Sequence, residues 1–415
     1  MSVVRTQASC FRCMFAEQEL ANHLFSTPPI CPRAPEPKRR SRKGCWPCKG
    51  RKVKCGEEHP TCANCQRTGE PLPIRIPRSL HPLPSKLRDD SMNLLYFHHF
   101  LNHTAKVLVP YDDPKSNPFR TILPQMATEI ISPTAFGYNI PWQAHLNLAR
   151  DLMRKRLAYL RENACNLEED KICSFLWSWF AYLDVLGSLS GGVPGTNSPG
   201  SWVLEYTLFS NADSQHEIDC IMGFTTRCVQ LLAQVADLAR HCDLQRIRPD
   251  TLLPQPNWTP TQNSVQLARQ LEGELMESMA RPSRPCRHVR NVETRDRQEM
   301  VLMNEAFHWA GLVHIHRRVY GKRSGHADVQ VPVQRILACM GCIRAGGTAE
   351  TGFLFPMFVA GCNTQVERQR MGILERLGRV ESNGMTQVRK ARLLMQKVWE
   401  TGQPWEPLLS SEFIG

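Results

Sequence analysis

The segment KRRSRKGCWPCKGRKVKCGEEHPTCANCQRTGE, residues 38–70, decides how the N-terminal part of this chain is expected to fold. Its five cysteines follow the order C-x2-C-x6-C-x6-C-x2-C, directly after a dense basic run. They are Cys45, Cys48, Cys55, Cys62 and Cys65. Zinc prefers four soft ligands in a tetrahedron, and closely spaced thiolates supply them without a large hydrophobic core. The spacing therefore predicts a small module that folds around zinc.

The cysteine spacing is an internal repeat whose last member is missing. The pattern C-x2-C-x6-C begins again at Cys62, but its final step leads to Leu72 instead of a cysteine. Residues 58–61 (EHPT) are expected to form a proline turn that would let the second half fold back on the first. Two zinc ions need eight bonds, so six cysteines suffice only if two sulfurs bridge both ions. The second zinc site is therefore the doubtful one.

This segment resembles the DNA-binding domain of the fungal zinc binuclear cluster transcription factors. In that family the first and fourth cysteines bridge the metal ions, which corresponds to Cys45 and Cys62 here. The resemblance implies that the first zinc binds the first four cysteines, all of which are present. It implies that the second binds the two bridging cysteines, Cys65 and the residue at position 72. Two zinc ions are thus expected for the family.

Leu72 has no atom that can bind zinc, and three interpretations of it stay open. In the first, the module holds one zinc or is distorted, with water or His81 in the fourth place. In the second, the sequence near residue 70 contains an error. In the third, the module is degenerate and no longer binds DNA.

Four basic residues of the first cysteine group are the candidates for DNA binding. They are Lys49, Arg51, Lys52 and Lys54. In the family this half forms a short helix in the major groove, and a basic pair at the positions of Arg51 and Lys52 reads a CGG-like triplet. Arginine and lysine suit this role because they donate hydrogen bonds to guanine O6 and N7.

Positive charge is concentrated in the same part of the chain. Residues 1–90 contain 17 Lys and Arg against 8 Asp and Glu, and the whole chain has a formal net charge of +12. This asymmetry favours a polyanionic partner for the N-terminal part, and the family resemblance implies that this partner is double-stranded DNA. The basic run before the cysteines would contact phosphates or act as a nuclear localisation signal. It consists of Lys38, Arg39, Arg40, Arg42 and Lys43.

The rest of the chain is predicted to be mostly α. We expect a disordered N-terminal extension (1–36), the zinc module (37–72), a proline-rich linker (73–90) and a large all-α regulatory domain (91–415). Hydrophobic residues at helical spacing define the predicted helices. These lie near residues 91–109, 142–162, 170–189, 215–243, 262–279, 295–320, 330–343 and 365–400, with Gly321 as the C-cap after 295–320.

The helical part resembles the fungal-specific transcription factor domain of the second type, and within it the acriflavine-sensitivity type of regulator. The resemblance is carried by EIDCIMGFTTRCVQLLAQVADLAR (217–240), LVHIHRRVYG (312–321) and FLFPMFVAGCNTQVERQRM (353–371), among others. One departure follows Pro124, where the family continues into a long apolar helix and this chain has SPTAFGYNIPW (132–142).

No residue pattern predicts an enzyme. Glycine-rich phosphate loops are absent from the sequence, and His99 and His103, four residues apart, lack the glutamate of a zinc-protease motif. His314 and His316 flank Arg317 and Arg318 at a predicted helix end, where cations suit the helix dipole. No apolar run approaches the length of a membrane helix, and the first thirty residues do not resemble a secretory signal.

The combined expectation is a nuclear, sequence-specific DNA-binding regulator of RNA polymerase II transcription that reads CGG-like triplets. Its partners would be double-stranded DNA and transcriptional co-regulators, without a membrane. The alternative is a family member with a degenerate cluster that acts through protein interactions and does not bind DNA. The sequence leaves target genes, effector ligand and oligomeric state open.

Overall fold

The structure is a computed structural model, and it describes part of the chain. The described residues are 53–54, 63–68, 80, 83, 87, 91–130, 151–156, 158–159, 162, 171–190, 203, 214–248, 250–251, 253–287, 289, 293–382, 386–405 and 408. The chain divides into two compact units. The first comprises residues 1–104 and 123–136, and the second comprises residues 105–122 and 137–415. The expected extension (1–36) and most of the expected linker (73–90) lie outside the described residues.

Helices make up most of the described structure, as the sequence predicts. In chain order they are α1 (Ala63–Thr68), α2 (Ser91–His99), α3 (Ala105–Val107), α4 (Pro118–Ile130), α5 (Lys171–Leu189), α6 (Thr226–Arg246), α7 (Gln262–Ala280), α8 (Thr294–His314), α9 (Ala327–Cys342), α10 (Thr348–Gly352), α11 (Leu354–Asn363), α12 (Glu367–Glu381) and α13 (Thr386–Thr401). Residues 151–156 are also helical. The mostly-α fold class is confirmed.

Two short strands accompany these helices in the second unit. Strand β1 (Glu217–Ile218) pairs in parallel with β2 (Arg284–Pro285), with Ile218 opposite Pro285. The pair ties the segment before α6 to the segment after α7. It leaves both helices free to pack against each other along their length.

Helix α6 packs against helices α5, α7 and α8, and side-chain hydrogen bonds fix where it begins. Thr225 is the N-cap, and its hydroxyl accepts a hydrogen bond from the backbone N–H of Cys228 at 3.2 Å. The backbone N–H of Thr225 donates to the side chain of Asn304 on α8 at 2.9 Å. The predicted helix 215–243 therefore begins later than expected, since residues 214–218 form a short 3-10 turn and β1.

Helix α8 shows the apolar period that the sequence predicts for it. Met303, Phe307 and Ala310 are fully buried at helical spacing, and the Phe307 ring lies 4.1 Å from that of Phe224. The helix continues into a π-helical turn, Ile315–Val319, and Gly321 follows with φ of 67°. The predicted cap at Gly321 is confirmed, because a left-handed backbone favours glycine.

The two histidines at this helix end are held neutral by their surroundings. Burial and the neighbouring Arg318 hold the pKa of His314 well below its usual value. Burial and Lys322 lower the pKa of His316 to about 4. Both imidazoles are therefore neutral at pH 7 and do not act as cations toward the helix dipole. Arg318 is itself buried, with 2% of its surface exposed.

Two further differences concern the C-terminal third. Helix α11 was not expected, and all ten of its residues are buried. A helix buried on every side has no polar face, so it shows no helical period in the sequence. The predicted helix 365–400 is two helices, α12 and α13. The sequence between these two helices contains Asn383 and Gly384, residue types that commonly end helices.

The described helices carry no membrane-crossing segment: none of them combines the necessary length with the necessary apolar character.

Candidate nucleic-acid interface and metal module

The described part of the cysteine module centres on Asn64, the second residue of helix α1. The Asn64 side-chain amide donates a hydrogen bond to the backbone carbonyl of Lys54 at 2.5 Å. Its side-chain oxygen accepts a hydrogen bond from the guanidinium of Arg67, one turn later on the same helix. The Asn64 side chain therefore forms one hydrogen bond within the second cysteine group, to Arg67, and one to the first group, at Lys54.

This contact joins the two halves of the cysteine repeat. Lys54 directly precedes Cys55, the last cysteine of the first group, and Asn64 lies between the two cysteines of the second group. The bond joins residues that are ten positions apart in the sequence. The EHPT segment at 58–61, where the sequence predicts a turn, lies between them but outside the described residues.

The basic groups around this contact face solvent. The side chains of Lys54 and Arg67 are both exposed, as is Val53. The hydrogen bonds of Asn64 thus fix the backbone near Lys54 while the cations stay accessible. Long-range attraction of a polyanion needs accessible charges of this kind.

The structure describes only some of the residues that the sequence singles out. Lys54 is described and exposed, and Cys65 lies on α1, although nothing is described of its side chain. The other candidates lie outside the described residues. These are Cys45, Cys48, Cys55, Cys62, Lys49, Arg51, Lys52, Lys38, Arg39, Arg40, Arg42 and Lys43. Leu72 and His81 lie outside them as well.

The donor set of the module suits zinc. Five thiols within 21 residues provide soft ligands, and the bond from Asn64 to Lys54 links the segments that carry them. In the ranges that the structure describes, no group of three or more His, Cys, Asp or Glu side chains has a metal-binding arrangement. The candidate metal centre is the cysteine module, on the strength of its donor set.

Sequence reasoning missed Asn64. The signal for it was weak: a single asparagine inside the C-A-N-C segment, 62–65, that does not differ from an ordinary solvent-exposed amide. Its partner lies ten residues earlier, so its role depends on the fold of the module rather than on local spacing.

Comparison with protein-family models gives two matches. Residues 130–403, more than half of the chain, match the fungal specific transcription factor domain. Residues 43–73 match the fungal Zn(2)-Cys(6) binuclear cluster domain. Both models describe transcription factors and neither describes an enzyme, in agreement with the sequence expectation.

Curated relatives match over short stretches. A Zn(2)-C6 fungal-type transcription factor, afumD, of Aspergillus fumigatus is 35% identical over 85 residues, covering 17% of this chain and 23% of the relative. A Zn(2)-C6 fungal-type transcription factor of Gibberella zeae is 47% identical over 45 residues, which cover 11% of this chain and 9% of the relative. White-opaque regulator 2 of Candida albicans is 40% identical over 57 residues, which cover 14% of this chain and 13% of the relative. The matches thus span less than a quarter of each relative.

No solved structure matches this chain. The family models, which together cover both the cysteine module and most of the helical part, carry the assignment. The chain belongs to the fungal transcription factors that combine a Zn(2)-Cys(6) binuclear cluster domain with a fungal-specific transcription factor domain.

Proposed function

We propose that the chain is a nuclear, sequence-specific DNA-binding regulator of RNA polymerase II transcription that reads CGG-like triplets through its zinc cluster. The observation that carries the proposal is the match of residues 43–73 to the binuclear cluster domain. The relatives that this chain resembles are named as transcription factors of the same type. The excess of positive charge on residues 1–90 adds the attraction to a polyanion that DNA binding needs.

The first cysteine group is proposed to read the bases. Arg51 and Lys52 would donate hydrogen bonds to guanine O6 and N7 in the major groove. Lys49 and Lys54 would contact phosphates, which position the module without reading sequence. The exposed side chain of Lys54 suits this role. The upstream basic run, residues 38–43, would add phosphate contacts and serve as the nuclear localisation signal.

Zinc is proposed to be structural. Cys45, Cys48, Cys55 and Cys62 would hold the first ion, and its binding energy would be folding energy for a module too small to fold alone. A second ion would bind Cys65 together with the bridging thiolates. It would need water or another side chain, such as His81, in place of a sixth cysteine.

The proposed division of labour follows the proposed domains. Residues 37–72 bind DNA, residues 73–90 link, and the helical domain from residue 91 regulates the module or contacts transcriptional co-regulators. Residues 1–36 are proposed to be a disordered extension.

A gel-shift experiment with the full chain tests base reading. The duplexes carry a CGG triplet or a scrambled triplet of the same composition. We expect Lys52→Ala to lose about 1–3 kcal/mol of specific binding, roughly five- to 150-fold, while non-specific binding changes little. Lys115→Ala, at an exposed lysine outside the module, is the matched control and should leave the preference unchanged. Equal CGG preference in folded Lys52→Ala and wild type would contradict the assignment.

A second candidate function is favoured by Leu72 alone. A chain whose cluster has degenerated would act through protein interactions of its helical part, without binding DNA. This candidate predicts neither zinc in the purified chain nor any difference between the CGG and scrambled duplexes. The same gel shift, with zinc analysis of the same preparation, separates the two candidates.

A further inference from the structure

A polar cavity of about 230 Å³ lies in the second unit, where the C-terminal half of α7 meets the start of α6. Its volume corresponds to roughly seven or eight water molecules in the liquid. It is therefore large enough for a small organic molecule but not for a peptide or a nucleotide chain. The lining residues are Gln215, His216, Arg227, Glu274, Glu277, Ser278 and Arg281.

One wall of the cavity presents hydrogen-bond acceptors from a single helix. Glu274, Glu277 and Ser278 lie three and four residues apart on α7, so their side chains share one face of the helix. The Glu274 carboxylate accepts from Arg227 at 2.6 Å and from Gln270 at 2.8 Å. These contacts hold the carboxylate in place at the edge of the cavity.

Ser278 is held as an acceptor by a buried histidine behind it. Nδ1 of His308 lies 2.7 Å from the backbone carbonyl of Asn304, which can only accept, so Nδ1 carries the proton. Nε2 of His308 therefore has a lone pair, and the Ser278 hydroxyl donates to it at 3.0 Å. Burial lowers the pKa of His308 to about 4, so this arrangement persists at neutral pH. The Ser278 oxygen therefore keeps its lone pairs as acceptors, and Ser278 lines the cavity.

Two guanidinium groups supply the donors. Arg227, in the first turn of α6, donates to Glu274 and to Gln230. Arg281, just after α7, forms an ion pair with Glu277 and contacts Nε2 of His216 at 3.3 Å. Each guanidinium has five N–H groups, and these contacts engage only some of them.

The charges of the cavity balance. Two arginines oppose two glutamates, and His216 adds no charge at neutral pH because burial, Arg281 and Arg227 lower its pKa. A simple anion would meet as many carboxylates as guanidiniums, and a simple cation would meet as many guanidiniums as carboxylates. A molecule that carries both charges within a few ångströms satisfies both sets of groups.

We propose that this cavity binds a small zwitterion of the α-amino-acid class, with its carboxylate at Arg281 and Arg227 and its ammonium at Glu277 and Ser278. The carboxylate gains charge-assisted hydrogen bonds from the guanidiniums. The ammonium gains acceptors from the α7 wall, namely the Glu277 carboxylate and the Ser278 hydroxyl, and Ser278 is held in place by His308. All lining residues belong to the second unit, so the inference does not depend on DNA binding by the cysteine module.

Isothermal titration calorimetry of the full chain against the twenty common α-amino acids tests the proposal. We expect saturable binding of at least one of them in the micromolar to millimolar range. Its carboxamide and its N-acetyl derivative each lack one charge, and each should bind about tenfold more weakly or worse, a loss of about 1.4 kcal/mol. Inorganic phosphate, an anion without an ammonium, should not compete.

Variants locate the site. Glu277→Gln and Arg281→Gln change side chains that are 65% and 55% exposed, so both proteins should fold, and each should lower the affinity about tenfold. Arg284→Gln is the matched control, since Arg284 is 70% exposed, pairs with Glu217 and does not line the cavity. Three results would each overturn the proposal: no amino acid binds, the N-acetyl derivative binds as well as its parent, or the cavity variants bind as well as Arg284→Gln.

Discussion

The Arg318 guanidinium donates a hydrogen bond through Nε to the Asp243 carboxylate at 2.7 Å, and both side chains are buried or nearly so. Arg318 lies in the π-helical turn after α8, and Asp243 lies in the last turns of α6. The same guanidinium donates to the backbone carbonyl of Leu189, at the end of α5, at 2.9 Å. One arginine thus connects three helices, and the ring of Trp405 lies 5.8 Å from its central carbon.

Replacing this arginine should strongly destabilise the helical unit. The Arg318→Met variant keeps an unbranched side chain at position 318, but the Leu189 carbonyl loses the guanidinium as its hydrogen-bond donor. The Asp243 carboxylate keeps Arg246, at 2.7 Å, as its remaining partner. Removing one member of a buried ion pair costs about 3–5 kcal/mol, and we expect a loss near the lower end of this range. Urea denaturation followed by circular dichroism measures it.

A surface pair provides the control for this experiment. Arg284 pairs with Glu217 at 3.2 Å but is 70% exposed, so Arg284→Met should change the free energy of unfolding by less than about 1 kcal/mol. If Arg318→Met and Arg284→Met proved equally stable, the buried pair would have no special role.

Stability should fall in mild acid because of buried histidines. An unfolded histidine takes up a proton near pH 6.5, whereas folded His308, with a pKa of about 4, stays neutral. Between these values the unfolded state binds more protons, so the free energy of unfolding decreases as the pH falls from about 6.5 to about 4. The contribution of His308 at pH 5 is of the order of 2 kcal/mol.

The variant His308→Gln tests this pH dependence. Glutamine keeps polar atoms near Ser278 and Asn304 but does not titrate, so its curve of stability against pH should be flatter between pH 7 and pH 5. His326→Gln, at a 49% exposed histidine, is the control and should follow the wild-type curve. Parallel curves for His308→Gln and wild type would contradict the assignment of the acid sensitivity to His308.

The sequence predicted periodic elements well and uniformly buried ones poorly. Helix α8 and the glycine after it were evident because apolar residues recur on one face and Gly321 ends the pattern. Helix α11 was missed because its residues are buried all round, which removes the contrast between two faces. The low pKa values of His314 and His316 could not be predicted because they result mainly from burial, which sequence spacing does not report.

The candidate sites divide in the same way. Cysteines and basic residues of the module were predictable because their chemistry and spacing lie in one continuous segment. Asn64 was not, because its hydrogen-bond partner, the Lys54 carbonyl, lies ten residues earlier in the sequence. The cavity residues were not, because α6, α7 and the 214–216 turn contribute one or a few ordinary polar residues each, and only tertiary packing brings them together.

The hydrogen bonds of Asn64 should stabilise the folded cysteine module. In Asn64→Ala the Lys54 carbonyl and the Arg67 guanidinium both lose a partner. Because the site is partly exposed and water can replace the bonds, we expect a modest loss of about 1 kcal/mol, seen as an approximately fivefold weaker zinc affinity. A chelator competition with the full chain measures it. Ala63→Ser, at the neighbouring exposed position, is the control. Equal zinc affinity in wild type, Asn64→Ala and Ala63→Ser would show that Asn64 does not stabilise the module.

The residue at position 72 should set the number of zinc ions. The first ion has four candidate thiolates, whereas the second has three and a leucine, so we expect native mass spectrometry of the full chain to show one tightly held zinc. Leu72→Cys restores the sixth thiolate at the same x6 spacing and should raise the count to two. Leu72→Ser also replaces leucine with a small polar residue but adds no soft donor, so this variant should still bind one zinc ion. Two zinc ions in the wild-type chain would show that another group takes the fourth ligand position at the second zinc. His81→Ala would then be the first variant to test. One zinc in Leu72→Cys would contradict the inference that the missing thiolate is what limits the second site.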